Sequence, residues 1–177
     1  MLGTHRIFAP LLGGFYGVLI GSFEILAVSV IGAVMVFWAR RNLLKIKRFW
    51  KPEMQGWPKR DADLILYFEI VLMLLFLSMN AADSLLQQRG VEAYIQTADF
   101  PISQFLHPLF EGFSERTLII LERSFWWAHI FGIFVFLNYL YYCKHLHILL
   151  AFPNTFFANL ESDGKFEVDA NFKNEVL

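Results

Sequence analysis

The stretch LILYFEIVLMLLFLSMNAA, residues 64–82, is almost entirely apolar and is interrupted only by Glu69 and Asn80. A lipid bilayer has a hydrocarbon core about 30 Å thick, which an α-helix crosses with about 20 predominantly apolar residues. Because lipid offers no hydrogen-bond partners, the backbone of such a stretch must bond within itself as a helix. The sequence therefore predicts a membrane-spanning helix at 64–82.

Two further stretches have the same character. One lies within residues 7–38, where Glu24 is the single charged residue, and its span proper is predicted at about 15–38. The other is predicted at 125–150. Together they predict an all-α, polytopic membrane helical bundle of three transmembrane helices that occupies residues 1–150.

Composition supports this class and excludes others. Hydrophobic residues make up 56% of the 177 residues, with 20 Phe, 6 Tyr and 5 Trp, an aromatic content typical of lipid-facing helices. The formal net charge of -1 gives no general attraction to nucleic acid. The single cysteine, Cys143, cannot form a disulfide within the chain or an all-cysteine zinc or iron–sulfur site.

The connections between the spans predict their orientation. Residues 39–61 hold eight Lys and Arg against two acidic residues, so this loop is expected on the cytoplasmic side. Residues 83–123 hold six acidic residues against three basic ones and are expected outside. The N-terminus is then outside, and the polar, acidic tail at 151–177 is cytoplasmic. We expect the tail to be a linker toward a further domain or a surface that docks a soluble partner.

The outer loop contains DFPISQFLHPLFEGF, residues 99–113, in which apolar residues recur at helical spacing. This spacing predicts an interfacial helix that lies on the membrane surface. A shallow re-entrant hairpin is the alternative.

Three histidines fall in the third predicted span. His129 and His147 are eighteen residues apart, which is five helical turns and about 27 Å, so a continuous helix would place them on one face near opposite sides of the membrane. His145 would lie about 160° away, at the cytoplasmic exit, where it could contact a quinone headgroup. A neutral imidazole is an axial ligand for heme iron, and a buried histidine without a partner is costly.

The second span offers facing groups. Glu69 and Asn80 are eleven residues apart and lie within about 20° of one face. Antiparallel packing would place Glu69 opposite His147 and Asn80 opposite His129, and Met79 is a possible soft axial ligand. Three hypotheses remain open: hydrogen-bonded pairs without iron, heme b at one or both sites, or a quinone or proton site.

Glu24 is the other costly residue, since an acid within a span is a functional candidate by default. It could carry a proton to or from a quinone, or pair with a histidine. Glu24 and Glu69 are therefore the proton and quinone candidates.

Three phrases carry a family resemblance: GWPKRDADLILYFEIVLMLLFLSMNAADSLLQQRG, FPISQFLHPLFEGF and FLNYLYYCKHLHILLAFPNTFF. They resemble the membrane half of fused membrane-bound iron–sulfur oxidoreductases. Those proteins are related to the respiratory nitrate reductase gamma-subunit superfamily, which includes the cytochrome b subunit of heterodisulfide reductase. The resemblance covers nearly the whole chain and is clearest over residues 50–165.

The resemblance implies a b-type or b-derived membrane module in a prokaryotic cytoplasmic membrane. It also implies electron exchange with quinone and a cytoplasmic iron–sulfur domain with CCG motifs. His129 and His147 match the two heme-ligating histidines of the family's final helix. The second span departs from the family pattern, because Glu69 and either Met79 or Asn80 stand where the family has histidines.

Two functional hypotheses follow. The first is the membrane module of a quinone-linked oxidoreductase that passes electrons between a cytoplasmic iron–sulfur domain and the quinone pool. The second is a heme-free anchor or assembly subunit that holds a soluble redox enzyme at the membrane lipid.

Overall fold

A computed structural model describes residues 9–47, 56–94, 100–143 and 146–158. Every regular element in these ranges is helical, so the predicted all-α class is confirmed. The helices are α1 (Ala9–Leu12), α2 (Gly14–Asn42), α3 (Trp57–Gln88), α4 (His107–Phe110), α5 (Glu115–Leu140) and α6 (Leu146–Phe156).

Helices α2, α3 and α5 are long and apolar enough to cross a membrane. They contain 29, 32 and 26 residues, more than the minimum that a hydrocarbon core requires. Large apolar side chains on these helices remain exposed, among them Phe23, Phe37, Phe131 and Phe134. The three helices agree in number with the predicted spans and are compatible with a multi-pass membrane protein.

The third long helix begins ten residues earlier than predicted, at Glu115 rather than 125. Ser114 caps it: its hydroxyl oxygen accepts the backbone N–H of Thr117 at 3.3 Å. Serine is a favoured N-cap because it satisfies one of the N–H groups that a helix start leaves without a partner. The apolar pattern alone does not show this start, since the first turns of α5 carry charged residues.

The same helix also ends earlier than predicted. A helix of 26 residues is about 39 Å long, so α5 has already exceeded the hydrocarbon thickness by Leu140, where it stops. The thiol of Cys143 then donates to the carbonyl of Leu140 at 3.3 Å, and α6 begins at Leu146. The predicted continuous helix 125–150 is corrected accordingly, and the shared face inferred for His129 and His147 no longer follows from helix geometry.

Helix α3 is central because both α2 and α5 pack against it. The α3–α5 contact is close at Gly132, where an added Cβ would lie 2.7 Å from a methyl carbon of Leu72. Aromatic rings continue the contact along the helices, with Phe68 and Phe136 centred 5.9 Å apart. A small residue thus lets the two helices approach closely, as at many helix contacts within membranes.

Polar bonds tie α2 to α3 near the basic connection. The indole N–H of Trp38 donates to the hydroxyl oxygen of Tyr67 at 3.1 Å. Arg41 forms an ion pair with Asp63 at 3.3 Å and also donates to the carbonyl of Lys59 at 3.1 Å. These bonds fix the last turns of α2 against the first turns of α3.

At this same end, α5 is joined to α3 by a buried carboxylate. Asp61 is 2% exposed, and the hydroxyl of Tyr139 donates to it. The ring of Tyr139 also stacks on Phe68, with centroids 6.2 Å apart. The first turns of α3 therefore meet the last turns of α5 through one specific polar contact.

At the opposite end of the bundle, side-chain hydrogen bonds join the end of α3 and the residues after it to the connection before α5 and to α5 itself. Arg89 donates to the carbonyls of Glu111 and Phe113, each at 2.8 Å. The hydroxyl of Tyr94 donates to Glu122 at 3.0 Å. Burial and the charge of Glu122 raise the pKa of Tyr94 to about 12, so its hydroxyl keeps the donated proton at physiological pH.

The connection between α3 and α5 forms a 3₁₀ turn, Ser103–Leu106, followed directly by α4. Both elements pack against α3. Ser103 and His107 are buried, whereas Phe105 and Leu109 are 77% and 69% exposed. The connection is therefore a bent segment with a polar inner edge.

Helix α6 belongs to a separate unit that begins at His145. It has eleven residues, contains Pro153 and is apolar, with Ile148 and Phe152 59% and 80% exposed. His147 is also exposed on this helix. With about half the residues that a span needs, α6 is too short to cross a bilayer.

Candidate functional site

The carboxylate of Glu24 is the centre of a buried polar cluster. Glu24 is 0% exposed and lies ten residues after Gly14, about 15 Å along α2. Its Oε1 accepts the amide N–H of Asn80 at 3.1 Å and the hydroxyl of Ser103. Its Oε2 accepts the backbone N–H groups of Ile102 and Ser103 at 2.9 and 3.3 Å. Helix α2, helix α3 and the connection thus meet at one carboxylate.

These contacts explain an acid in the middle of an apolar helix. Buried backbone N–H groups need acceptors, and non-helical backbone beside membrane spans is tolerated only where protein buries and satisfies it. Glu24 supplies the acceptors for Ile102 and Ser103. These residues thus contact α2 about ten residues beyond its start.

The four donors fill the acceptor capacity of Glu24. A carboxylate has about four lone-pair sites, and these contacts occupy them. A further hydrogen-bond donor can bind this carboxylate only if one of the four moves away.

A second buried pair lies beside this carboxylate. His107 Nε2 is 2.5 Å from the hydroxyl oxygen of Ser84, which donates to the carbonyl of Ala81 at 3.0 Å. A hydroxyl has one proton, so when that proton points to Ala81 the donor in the other bond is His107 Nε2–H. Burial lowers the pKa of His107, and the negative charges of Glu111 and Glu24 act in the opposite direction. The imidazole is therefore held in its neutral form near pH 7.

This histidine should make stability depend on pH. Because the pKa of His107 is lower in the folded chain than its ordinary 6.5, the unfolded chain binds more protons, and the free energy of unfolding should decrease as pH falls below about 6.5. We expect His107→Gln to flatten that decrease. Thermal unfolding of the detergent-purified chain between pH 7.5 and 5 measures it, with exposed His147→Gln as the control. An unchanged pH profile in His107→Gln would contradict the burial argument.

The polar cluster continues along one face of α3. The polar residues of its last turns are spaced at i, i+3, i+4 and i+7, as in one face of a helix, and they are Asn80, Asp83, Ser84 and Gln87. All four are buried, and Gln87 donates to Asp83 at 3.2 Å. Sequence reasoning missed Ser84, Ser103 and His107 as members of the cluster. This polar stripe within an apolar helix is the signal that could have found it.

His129 faces α3, as the sequence predicts, but it meets a different partner. Its Nδ1 lies 2.9 Å from the backbone carbonyl of Leu72, and its ring is centred 5.9 Å from that of Phe76. A carbonyl only accepts, so Nδ1 carries the proton and the lone pair of a neutral ring remains on Nε2. Asn80, the predicted counterpart of His129, bonds Glu24 instead.

The other predicted site residues are distributed over the chain. Glu69 is half-buried on α3, and Met79 is buried on the same helix. His147 lies in the separate α6 unit, so its predicted pairing with Glu69 stays a prediction, and His145 lies outside the described residues. The structure thus brings together Glu24 and Asn80, whereas His129 of α5 bonds Leu72.

The fit of heme b can be judged from these contacts. His129 offers one candidate axial nitrogen, Nε2, and its Nδ1–H bond to a carbonyl is the usual way in which a ligating imidazole is oriented. The described contacts do not set a second axial ligand against it. The described residues therefore offer one candidate axial ligand and do not complete a heme site.

The chain is similar to one curated oxidoreductase. It is 28% identical over 145 residues to the probable iron-sulfur-binding oxidoreductase FadF of Bacillus subtilis (strain 168). The match covers 79% of this chain and 18% of the relative, so the chain spans less than a fifth of that protein's length. No family model matches the chain, and no solved structure matches it. The similarity points to an oxidoreductase-related family and is consistent with a redox role.

Proposed function

We propose that this chain is the membrane module of a quinone-linked electron-transfer oxidoreductase. It passes electrons between a cytoplasmic iron–sulfur domain or subunit and the quinone pool of a prokaryotic cytoplasmic membrane. The observation that carries the proposal is the match of most of this helical chain to less than a fifth of an iron-sulfur-binding oxidoreductase. Because these 177 residues contain one cysteine, the proposal assigns the iron–sulfur clusters to the partner domain or subunit.

Quinone chemistry requires protons as well as electrons. Reduction of a quinone to a quinol takes two electrons, supplied here by the iron–sulfur partner, and two protons from water through side chains. Glu24 and Glu69 are the proton carriers in this proposal. Glu24 already bonds four donors, so in this proposal its contacts to Asn80 or to the connection rearrange during turnover.

The histidines have subordinate roles in the proposal. His129 presents Nε2 as a hydrogen-bond acceptor or metal ligand, and His145 and His147 are candidate contacts for a quinone headgroup near the cytoplasmic side. Heme b at His129 and His147, with Met79 or Asn80 as further ligand candidates, is tested by the reduced-minus-oxidised visible spectrum of the purified protein. A b-type band that His129→Ala abolishes would establish His129 as a ligand.

A heme-free anchor or assembly subunit is the second candidate. The specific observation in its favour is that Glu24, Asn80 and His129 each bond protein groups within the bundle. Buried polar groups that satisfy one another can serve only to hold helices together. An anchor would bind the same iron–sulfur partner but would carry no electrons to quinone.

The partner is tested by purification of the tagged chain from its own host membranes in mild detergent. We expect iron and acid-labile sulfide to copurify in a fixed ratio to the chain, with an iron–sulfur EPR signal after dithionite reduction. A tagged unrelated three-span protein from the same membranes is the control. Iron and sulfide no higher than in that control would contradict both candidate functions.

A further inference from the structure

A cavity of about 420 Å³ lies between α2 and α3 near the basic connection. Its lining residues are Met35, Trp38, Ala39, Tyr67 and Ile70. They follow one face of each helix, at i, i+3 and i+4 on α2 and at i and i+3 on α3. The cavity is therefore a groove that runs along the helix pair, separate from the polar cluster around Glu24.

The chemistry of the lining fits a hydrocarbon chain. The polar atoms of the two aromatic residues bond each other, because the indole N–H of Trp38 donates to the hydroxyl oxygen of Tyr67. What remains toward the groove is methyl, methylene and ring carbon. Such a surface gives an acyl or isoprenoid chain favourable contacts but offers a polar headgroup little to bind.

Positive charge lies beyond one end of this groove. Arg40 follows the lining residue Ala39 by one residue and so lies about 100° farther around α2, on the side away from the groove. Arg60 precedes Tyr67 by seven residues, so it lies on the same face of α3, two turns or about 10 Å farther along the axis. Both arginines are exposed. Arg41 pairs with Asp63 and so ties the two helices together at this point.

Aromatic residues indicate the depth of this end. Trp57, at the start of α3, is 68% exposed. Trp38 lines the groove and lies two residues before Arg40 on α2. Tryptophan is enriched where the hydrocarbon core meets the headgroups. A chain in the groove would thus start at headgroup depth, on the side of α3 that carries Arg60.

We propose that this groove binds one acyl chain of an anionic phospholipid whose phosphate lies against Arg60. The site goes beyond the proposed electron transfer and does not depend on it. Charge complementarity favours this occupant over a quinone, because a guanidinium group attracts an anionic phosphate more strongly than the neutral carbonyl oxygens of a quinone.

The charge requirement is tested by native mass spectrometry of the detergent-purified chain, titrated with dioleoylphosphatidylglycerol or dioleoylphosphatidylcholine. We expect one phosphatidylglycerol to be retained well above phosphatidylcholine, and Arg60→Gln to weaken that retention roughly fivefold. Arg60→Gln should not alter retention of phosphatidylcholine. The controls are Arg40→Gln, on the far side of α2, and Arg116→Gln, at the start of α5; both arginines are exposed. Equal retention of the two lipids by the unaltered chain would overturn the proposal.

The groove itself is tested by filling it. Ala39→Phe should abolish retention of the single phosphatidylglycerol, whereas Ile120→Phe, at an exposed position of α5, should leave it unchanged. Menaquinone-4 is titrated in parallel. If menaquinone-4 displaces phosphatidylglycerol, and if Arg60→Gln does not change the retention of menaquinone-4, the groove binds an isoprenoid chain and the proposal fails. These titrations measure lipid retention and not electron transfer, so a negative result would leave the proposed function unaffected.

Discussion

Replacing Glu24 by alanine should lower the free energy of unfolding by at least about 3 kcal/mol, because each buried donor left without an acceptor costs about 1–3 kcal/mol. The donors concerned are the amide of Asn80, the hydroxyl of Ser103 and the backbone N–H groups of Ile102 and Ser103. Alanine makes α2 more apolar, so a membrane-insertion effect alone would have the opposite sign. Chemical denaturation in detergent measures the loss.

A matched set of variants separates this network from a general effect of charge. Glu24→Gln keeps the shape but places an NH₂ group against donors on one side, so it should fall between Glu24→Ala and the unaltered chain. Glu92→Ala removes an exposed acid from the loop after α3 and should change little. Hydrogen exchange gives a local readout, because the amides of Ile102 and Ser103 should lose protection in Glu24→Ala alone. Unchanged stability and exchange in that variant would show that the carboxylate does not hold the connection.

The second large effect is expected at the opposite end of the bundle. Tyr139→Phe removes the hydroxyl that donates to Asp61, a carboxylate that is 2% exposed. We expect the free energy of unfolding to fall by about 1–3 kcal/mol, because a buried carboxyl group loses a hydrogen-bond partner. The ring packing on Phe68 is kept, so the change isolates the hydrogen bond.

Tyr142→Phe is the matched control, since Tyr142 is 79% exposed and loses the same hydroxyl. Thermal unfolding in detergent should separate the two variants clearly. Equal melting temperatures for Tyr139→Phe and Tyr142→Phe would mean that the Asp61 contact adds nothing to stability.

The long helices could be predicted because lipid imposes a simple rule of length and hydropathy. The apolar content of 15–38 and 64–82 is enough to locate α2 and α3 to within several residues. The third helix begins before its predicted start at residue 125, because a hydropathy pattern carries no information about helix caps. Ser114 starts α5 among charged residues, and the chain leaves the helix at Leu140 although the apolar residues continue.

The register between α3 and α5 could not be predicted from the polar residues. Matching polar groups on two antiparallel helices predicts Asn80 opposite His129, whereas the structure sets His129 beside Leu72. The side chain of His129 nevertheless points toward α3, because a polar group avoids lipid whichever residue it faces. Its partner could not be predicted, since the acceptor is a backbone carbonyl that every residue carries.

The cluster around Glu24 was predicted only as a single unusual acid. Its other members come from a connection whose path is set by tertiary contacts and not by periodicity. Ile102 takes part through its backbone N–H, which leaves no mark in the sequence. The polar stripe of α3 is the part that can be predicted from the sequence, because Asn80 and Ser84 share one helix face.

Reoxidation of the reduced iron–sulfur partner by menaquinone-4 tests the proposed electron transfer most directly. The complex purified from host membranes is reduced with dithionite, mixed with menaquinone-4 in a stopped-flow instrument, and followed by its visible absorption, with the partner separated from this chain as the control. We predict rapid reoxidation in the complex and its loss in the separated partner. Equal reoxidation rates with and without the chain, or none in the complex, would contradict a role in electron transfer to quinone.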